Sequence, residues 1–187
     1  MFYKKLNDYI FSFSNPEIIN GSQYQVSQPL NGDAARVAGL ELALQNQLTF
    51  LPGALSGLGV YFNYTLTDSS AQLPGHDGKS TLPGQARHVG NVAMSYERGG
   101  FSGRLGATFH GSFIDAVGAT TAFDRYYDKN TQVDASVSQR VAREIRVYAD
   151  LLNMNDALLR YYQGVPERVL QEEHYRWTVT FGAKVNF

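Results

Sequence analysis

Residues 174–187 read HYRWTVTFGAKVNF and alternate strictly between two kinds of side chain. One set, from Tyr175 to Phe187, is apolar throughout, and the other set is polar, charged or glycine. A period of two places the two sets on opposite faces of a β-strand. The stretch therefore predicts a strand with one face towards an apolar phase and the other towards water.

The same alternation recurs in pairs of segments joined by short turns, which indicates β-hairpins. The paired segments are 39–50 with 57–68, 88–97 with 101–113, and 132–141 with 144–153. Residues 2–11 read as a poorly patterned strand, and residues 22–42 as a long strand with a bend at Asn31 and Gly32. Long polar joins rich in Gly, Pro, Asp and Tyr follow at 68–87, 115–130 and 155–173. This organisation predicts about eight strands.

The strands read as membrane-spanning rather than as a soluble sandwich. They run to 11 residues or more, whereas soluble strands usually have ~5–6 and tilted membrane strands need about 9–11. Their polar face carries mostly Ser, Thr, Asn, Gln and Gly, and charged residues are only 18% of the chain. The predicted fold is all-β, an antiparallel transmembrane β-barrel meander with short periplasmic turns and long extracellular loops.

Charge and cysteine content exclude several functions. The net charge of -1, with no run of Lys or Arg, gives no electrostatic basis for binding nucleic acid. The chain has no cysteine, so disulfides, thiolate metal sites and cysteine nucleophiles are excluded.

In series, several segments of this sequence resemble the TonB-dependent outer-membrane receptors of Gram-negative bacteria. The matching segments are FYKKLNDYI, NGDAARVAGLELAL, NYTLTDS, LPGQARHVGNVAMSYE, QVDASVSQRV, RVYADLLNMND and WTVTFGAKVNF. The resemblance implies a plugged barrel of about 22 strands, of which residues 1–187 are the C-terminal segment. The plug and the earlier strands are then absent from this sequence, which also begins without a signal peptide.

The resemblance implies TonB-dependent import of a scarce ligand across the outer membrane. A ferric siderophore or similar chelate is the expected ligand, with carbohydrate and cobalamin left open. Expected partners are outer-membrane lipid, the β-barrel assembly machinery, and the TonB complex through the missing N-terminal part. The alternative is a self-standing eight-stranded outer-membrane barrel with a structural or adhesive role, in which the first strand pairs with residues 175–187.

The alternating C-terminal residues resemble the signal by which the assembly machinery recognises outer-membrane barrels. The resemblance implies that role for four residues: Phe181, Ala183, Val185 and Phe187.

Charges on the watery face form a second candidate set. They could pair across strands and hold a plug, or simply form a solvated lumen wall. The predicted lumen-facing residues are Glu41, Arg104, Asp134, Arg140, Arg146, Asp150, Arg176 and Lys184.

Tyr and Arg cluster in two of the long joins, at residues 123–130 and 159–164. These side chains are favoured at binding surfaces, although loop tyrosines also anchor in the membrane interface or pack on neighbouring loops. The candidate ligand contacts are Arg125, Tyr126, Tyr127, Arg160, Tyr161 and Tyr162.

No catalytic constellation is evident in the sequence. The four histidines are far apart and follow no metal-binding spacing, so we expect no catalytic residues, no metal site, no cofactor and no enzymatic activity. An outer-membrane phospholipase or protease would need Ser or Asp beside His88, His110 or His174, and nothing links these histidines to a nucleophile.

Overall fold

The computed structural model describes residues 1–186 and is built almost entirely of antiparallel strands, numbered here in chain order. The main sheet has nine strands, eight of which follow one another as neighbours. In spatial order the eight are β1 (Phe2–Asn7), β4 (Ala34–Gln47), β5 (Leu58–Gln72), β7 (His88–Arg98), β8 (Phe101–His110), β11 (Asn130–Arg140), β12 (Ile145–Leu152) and β15 (Thr178–Val185). The predicted all-β meander of about eight strands is confirmed, although four of them, β1, β8, β12 and β15, have only 6 to 10 residues.

The remaining strands lie beyond one end of this sheet. β2 (Ile10–Ile19) and β3 (Ser22–Asn31) form a hairpin, and β6 (Lys79–Ser80) adds to the end of β5. A four-stranded sheet, which we call the loop sheet, has the order β14 (Val169–Glu173), β13 (Leu159–Gln163), β10 (Arg125–Tyr127) and β9 (Phe113–Ala116). Two short 3₁₀ turns cover Gly53–Gly57 and Thr121–Phe123. No helix in residues 1–186 is long and apolar enough to cross a membrane.

The strand register sorts side chains into two opposite faces of the main sheet. Leu105 pairs with Met94 on one side and with Ala135 on the other, while its neighbour Arg104 pairs with Ser95 and Ser136. Large apolar side chains of the first face are solvent-exposed: Leu42, Leu44, Phe62, Val92, Met94, Leu105, Val137, Val147, Val179 and Phe181. An exposed apolar surface that covers a whole sheet is typical of a lipid-facing wall.

The sheet is open in the described residues. β1 pairs only with β4 and β15 pairs only with β12, so the barrel is not closed. The self-standing alternative requires pairing between the first strand and the last, and residues 1–186 do not form it.

The last strand begins later than its alternation predicts. β15 starts at Thr178, and the predicted strand residues 174–177 form a connection instead. Arg176 has a φ of 58°, its N–H donates to Asp156 Oδ1 at 2.8 Å, and its carbonyl accepts from Asn153 Nδ2 at 3.0 Å. These local hydrogen bonds turn the backbone out of the ladder, so the expected strand position of Arg176 is wrong.

The long strand predicted over residues 22–42 is divided at Gly32 and Asp33, because the hairpin leaves the main sheet there. Gly32 N–H donates to the Tyr9 carbonyl at 2.7 Å, and Asp8 N–H donates to the Asp33 carbonyl at 2.9 Å. The chain therefore leaves the sheet and returns to it at one place. β2 and β3 pair along their whole length between these points.

The predicted long loops are also more regular than expected. The loop sheet repeats the neighbour order of part of the main sheet, because each of its strands directly precedes or follows one main-sheet strand along the chain. The consecutive strands are β8 and β9, β10 and β11, β12 and β13, and β14 and β15. Four strands of the main sheet thus continue, after short irregular segments, as the loop sheet.

A small buried core stabilises this end of the molecule. Ala35 and Ala71 lie on the same sheet face as Glu41, yet both are only 1% exposed because the hairpin and β9 cover them. Ser14 N–H donates to the Val117 carbonyl at 2.8 Å, and Val117 N–H donates to the Ser12 carbonyl at 2.9 Å, which joins the hairpin to the residue that follows β9. The loop core consists of Phe11, Ala35, Ala71, Leu73, Ile114 and Val117.

A charge on the apolar face tests its contact with lipid. We expect Leu105→Arg, in the middle of β8, to lower the free energy of unfolding by about 2–4 kcal/mol, because the bilayer midplane excludes arginine. Thr108→Arg on the opposite face is the matched control and should cost much less. Urea unfolding in lipid vesicles measures both, and equal losses would contradict the assignment of the faces.

Candidate ligand-binding site

The loop sheet brings both predicted Arg and Tyr clusters together. In its register Arg125 lies opposite Gln163, Tyr126 opposite Tyr162, and Tyr127 opposite Tyr161. Segments more than thirty residues apart in sequence thus become neighbours, and strand alternation divides their side chains between two faces.

Tyr126 and Tyr162 lie on the face that packs on the loop core. Their rings stack at 5.1 Å with an interplanar angle of 6°, and Tyr162 is buried. Tyr126 is paired with the buried Ile114 of β9. Burial, and then the nearby charge of Asp124, raises the pKa of Tyr126. These two tyrosines pack on neighbouring loops, which is the structural role that the sequence left open for loop tyrosines.

The other face carries Arg125, Tyr127 and Tyr161, which we call the Arg–Tyr cluster. The Arg125 guanidinium carbon lies 5.1 Å from the centre of the Tyr161 ring, and that ring lies 5.0 Å from the ring of Tyr127. Arg125 is about half exposed, and its Nε donates to Asp115 Oδ2 at 2.6 Å. Partial burial, with a contribution from Tyr161, raises the pKa of Tyr127 and keeps its hydroxyl a donor at neutral pH.

Further aromatic rings extend the Arg–Tyr cluster towards the main sheet. The ring of Tyr127 lies 4.9 Å from that of His110 and 5.4 Å from that of Phe113. The result is a continuous set of aromatic rings that ends at a half-exposed guanidinium. Such a surface can stack against a planar ligand and donate hydrogen bonds to an anionic one.

Arg160 makes structural contacts instead. Its Nη1 donates to Asp128 Oδ2 at 2.9 Å and its Nη2 donates to the Pro166 carbonyl at 2.6 Å. Its Nε lies 3.7 Å from Glu172 Oε2 and has no hydrogen-bond partner within residues 1–186. The guanidinium therefore ties together the ends of β10, β13 and β14.

Asp124, which the sequence did not single out, is the fully buried carboxylate next to the Arg–Tyr cluster. Its Oδ1 accepts from Gly118 N–H at 2.8 Å, and its Oδ2 lies 2.8 Å from His76 Nε2. Its carbonyl accepts from Gly164 N–H at 2.9 Å. A lone aspartate in a long polar join has no distinguishing sequence signal, so only packing reveals this role.

Glycines allow the connections around Asp124 to approach closely. A Cβ on Gly75 would lie 1.9 Å from the Ala119 carbonyl oxygen, and one on Gly164 would lie 2.6 Å from that of Ala122. Both glycines have positive φ, of 71° and 66°. The connections before β6, before β10 and after β13 therefore pack backbone against backbone.

A family model described as "TonB dependent receptor-like, beta-barrel" matches residues 1–154. The chain belongs to the TonB-dependent receptor family. Receptors of this family are outer-membrane proteins of Gram-negative bacteria. No curated protein sequence matches the chain.

Solved structures of receptors share the fold at low sequence identity. The closed form of Fiu, the ferric-catecholate import receptor of E. coli K12, has a TM-score of 0.63 at 18% identity over 99% of this chain and 24% of its own. The unliganded ferric citrate transporter FecA has 0.64 at 16% identity over 83% of this chain and 25% of its own. The siderophore receptor PiuA of Acinetobacter baumannii has 0.59 at 14% identity over 97% and 25%. The chain spans about a quarter of the length of these receptors.

Seven of the eight predicted lumen charges lie on one face of this receptor sheet, and Arg176 is outside the strands. None of the eight forms an ion pair within residues 1–186. Arg146 donates to Ser138 Oγ at 2.9 Å, and Arg104 lies over the Tyr61 ring at 5.6 Å. Cross-strand ion pairing, one of the two roles left open for these charges, is thus not seen in residues 1–186, and the lumen-facing role of this face stays a prediction.

Three of the four residues of the proposed assembly signal lie in the strand at the open edge of the receptor sheet. Phe181, Ala183 and Val185 of β15 pair with Ala149, Val147 and Ile145 and share the apolar face. Phe181 is 81% exposed. Phe187 lies outside the described residues, and the role of all four as an assembly signal stays a prediction.

Adding a methyl group at Gly75 tests the close packing of these connections. Gly75→Ala should clash with the Ala119 carbonyl and also strain its left-handed backbone by about 1–2 kcal/mol. Gly78→Ala is the matched control, because Gly78 has a φ of 82° but no atom within 4 Å of its Cβ position. We expect faster tryptic cleavage after Lys79 in Gly75→Ala than in Gly78→Ala, and equal rates would exclude the clash.

Proposed function

We propose that residues 1–187 are the C-terminal barrel segment of a TonB-dependent receptor that imports a ferric siderophore or a similar iron chelate. The observation that carries this proposal is the Arg–Tyr cluster, which lies in the loop sheet beyond one end of a sheet with an exposed apolar face. The family match supports the class of protein. Fiu, FecA and PiuA, which share the fold, are receptors or transporters for iron complexes or siderophores.

The Arg–Tyr cluster has the chemistry that an anionic chelate requires. The Arg125 guanidinium forms an ion pair with Asp115 and keeps its remaining N–H groups as donors, and the tyrosine hydroxyls add donors beside it. Asp115 accepts a hydrogen bond from Arg125 Nε and thereby orients the guanidinium. Citrate or catecholate oxygens can bind the exposed donors, while catechol rings can stack on Tyr127 and Tyr161. The protein recognises a metal that is already chelated, so the site needs no metal ligands of its own.

The remaining partners and the location follow from the same proposal. The apolar face of the main sheet contacts outer-membrane lipid, and the opposite face lines the lumen of a longer barrel. The TonB complex acts through a part of the receptor outside this sequence. The β-barrel assembly machinery recognises the C-terminal residues Phe181, Ala183, Val185 and Phe187.

Removing the guanidinium or a ring of the Arg–Tyr cluster should weaken ligand binding. We expect Arg125→Ala and Tyr161→Ala each to reduce the affinity for ferric citrate or a ferric catecholate by roughly five-fold or more, as central contacts usually do. Arg143→Ala is the matched control, because Arg143 lies in the turn between β11 and β12 at the opposite end of the sheet. Fluorescence titration of the receptor in lipid vesicles measures the affinities.

The ligand class is tested in the same titration. Binding of a maltodextrin or of cobalamin, with no binding of either iron complex, would exclude the chelate and favour one of the other ligands. An unchanged affinity for the iron complex in both variants would exclude the Arg–Tyr cluster as its site.

The mass of the native protein separates the receptor from the self-standing barrel. We expect detergent extraction of outer membranes to yield a protein several times heavier than the 20.8 kDa of this chain, because a barrel of about 22 strands needs far more residues. A native mass near 20.8 kDa would favour the small structural or adhesive barrel.

A further inference from the structure

Three separate connections of the loop region meet at one buried pair of side chains. His76 lies between β5 and β6, and its side chain is 3% exposed, while Asp124 precedes β10 and is 0% exposed. The Asp124 carbonyl also accepts a hydrogen bond from the N–H of Gly164, which directly follows β13. The two side chains are 48 residues apart and join parts of the chain that share no strand ladder.

The hydrogen bonds of His76 require a particular protonation state. Its Nδ1 lies 2.8 Å from the Pro74 carbonyl oxygen, and its Nε2 lies 2.8 Å from Asp124 Oδ2. Both of these partners are acceptors, and only the imidazolium form carries an N–H on each ring nitrogen. In either neutral tautomer one nitrogen would direct a lone pair at an oxygen lone pair, and both side chains are almost inaccessible to solvent.

We propose that the His76–Asp124 pair is a proton-dependent latch that fixes the connection before β6 against β10, with Asp124 as a positioning residue for the Arg–Tyr cluster. Asp124 directly precedes Arg125, and its backbone bond to Gly164 fixes the strand that carries Tyr161. Deprotonation of His76 removes one of the two hydrogen bonds and the charge attraction. The second part, positioning of a ligand site, rests on the proposed function, whereas the latch itself does not.

The surroundings of His76 determine the direction of the pH response. Burial lowers the pKa of His76, but the hydrogen bond and charge of Asp124 and the Pro74 carbonyl together raise it above its ordinary value. The other titratable groups nearby are Tyr126 behind Asp124, Asp33 across a cavity of about 440 Å³ that His76 lines, Tyr9 beside Asp33, and the adjacent exposed Asp77. A raised pKa means that the latch is closed below about pH 6.5 and opens as the pH rises through the raised value.

A distance measurement between two connections tests the latch without any ligand. The chain has no native cysteine, so Asp77→Cys and Glu167→Cys provide exposed sites for spin labels on the connection before β6 and on the turn after β13. The labelled receptor in lipid vesicles is measured by double electron–electron resonance from about pH 5.5 to about pH 9. We expect one narrow distance at low pH and a growing broad population as the pH rises.

Three variants separate the latch from other histidine effects. His76→Gln can donate to Asp124 but does not titrate, so its distance distribution should not depend on pH. His174→Gln is the matched control, because His174 forms a solvent-exposed pair with Asp156 at 3.1 Å and should leave the pH response unchanged. Asp124→Asn keeps an acceptor for Gly118 but lacks the charge, so the broad population should be present at every pH.

The ligand arm uses ferric citrate as the probe on the same preparations. We expect its affinity to fall by roughly five-fold or more between the closed and open pH ranges in the parent, and to show no such pH dependence in His76→Gln. The latch would be excluded if the distance in the parent did not change with pH. It would also be excluded if the pH-dependent change in distance persisted in His76→Gln. A pH-dependent distance without binding of any iron complex would retain the latch and reject the proposed function.

Discussion

The architecture depends on backbone hydrogen bonding in an apolar environment. Lipid offers no partner for a peptide N–H or carbonyl, so every spanning segment must pair with a neighbour along its length. Eight strands of the main sheet meet this demand through one continuous antiparallel ladder from β1 to β15. Given that ladder, the alternation of each strand decides which side chains share a face, and the exposed apolar face of residues such as Leu105 and Val147 follows from it.

The loop end of the molecule obeys a different constraint. There the ladder separates into the hairpin and the loop sheet, and the exposed apolar face no longer decides the packing. Side chains instead bury themselves between connections, as Ile114 and Val117 do, and glycines such as Gly75 let the backbones approach. A fully buried carboxylate at Asp124 is tolerated because Gly118 N–H and His76 satisfy both of its oxygens.

Packing between the connections determines which side chains of the loop sheet are buried and which remain exposed. The faces of β10 and β13 are used differently: Tyr126 and Tyr162 stabilise the loop core, while Tyr127 and Tyr161 remain partly exposed beside Arg125. The Arg–Tyr cluster is thus held on a hydrogen-bonded sheet that packs on the loop core. Side chains that a rigid support already orders would lose little freedom on contact with a ligand.

The sequence alone predicted the all-β class, the strand pairs and the sorting of their side chains, because a period of two is a local property that each segment carries. It also found residues 125–127 and 160–162, since clusters of Tyr and Arg are visible without contacts. It could not show that 174–177 leaves the ladder, because the hydrogen bonds of Asp156 and Asn153 that turn Arg176 come from residues about twenty positions away. Only the tertiary structure decided which tyrosines are buried and that Asp124 meets His76, because both results depend on packing between distant connections that no local pattern records.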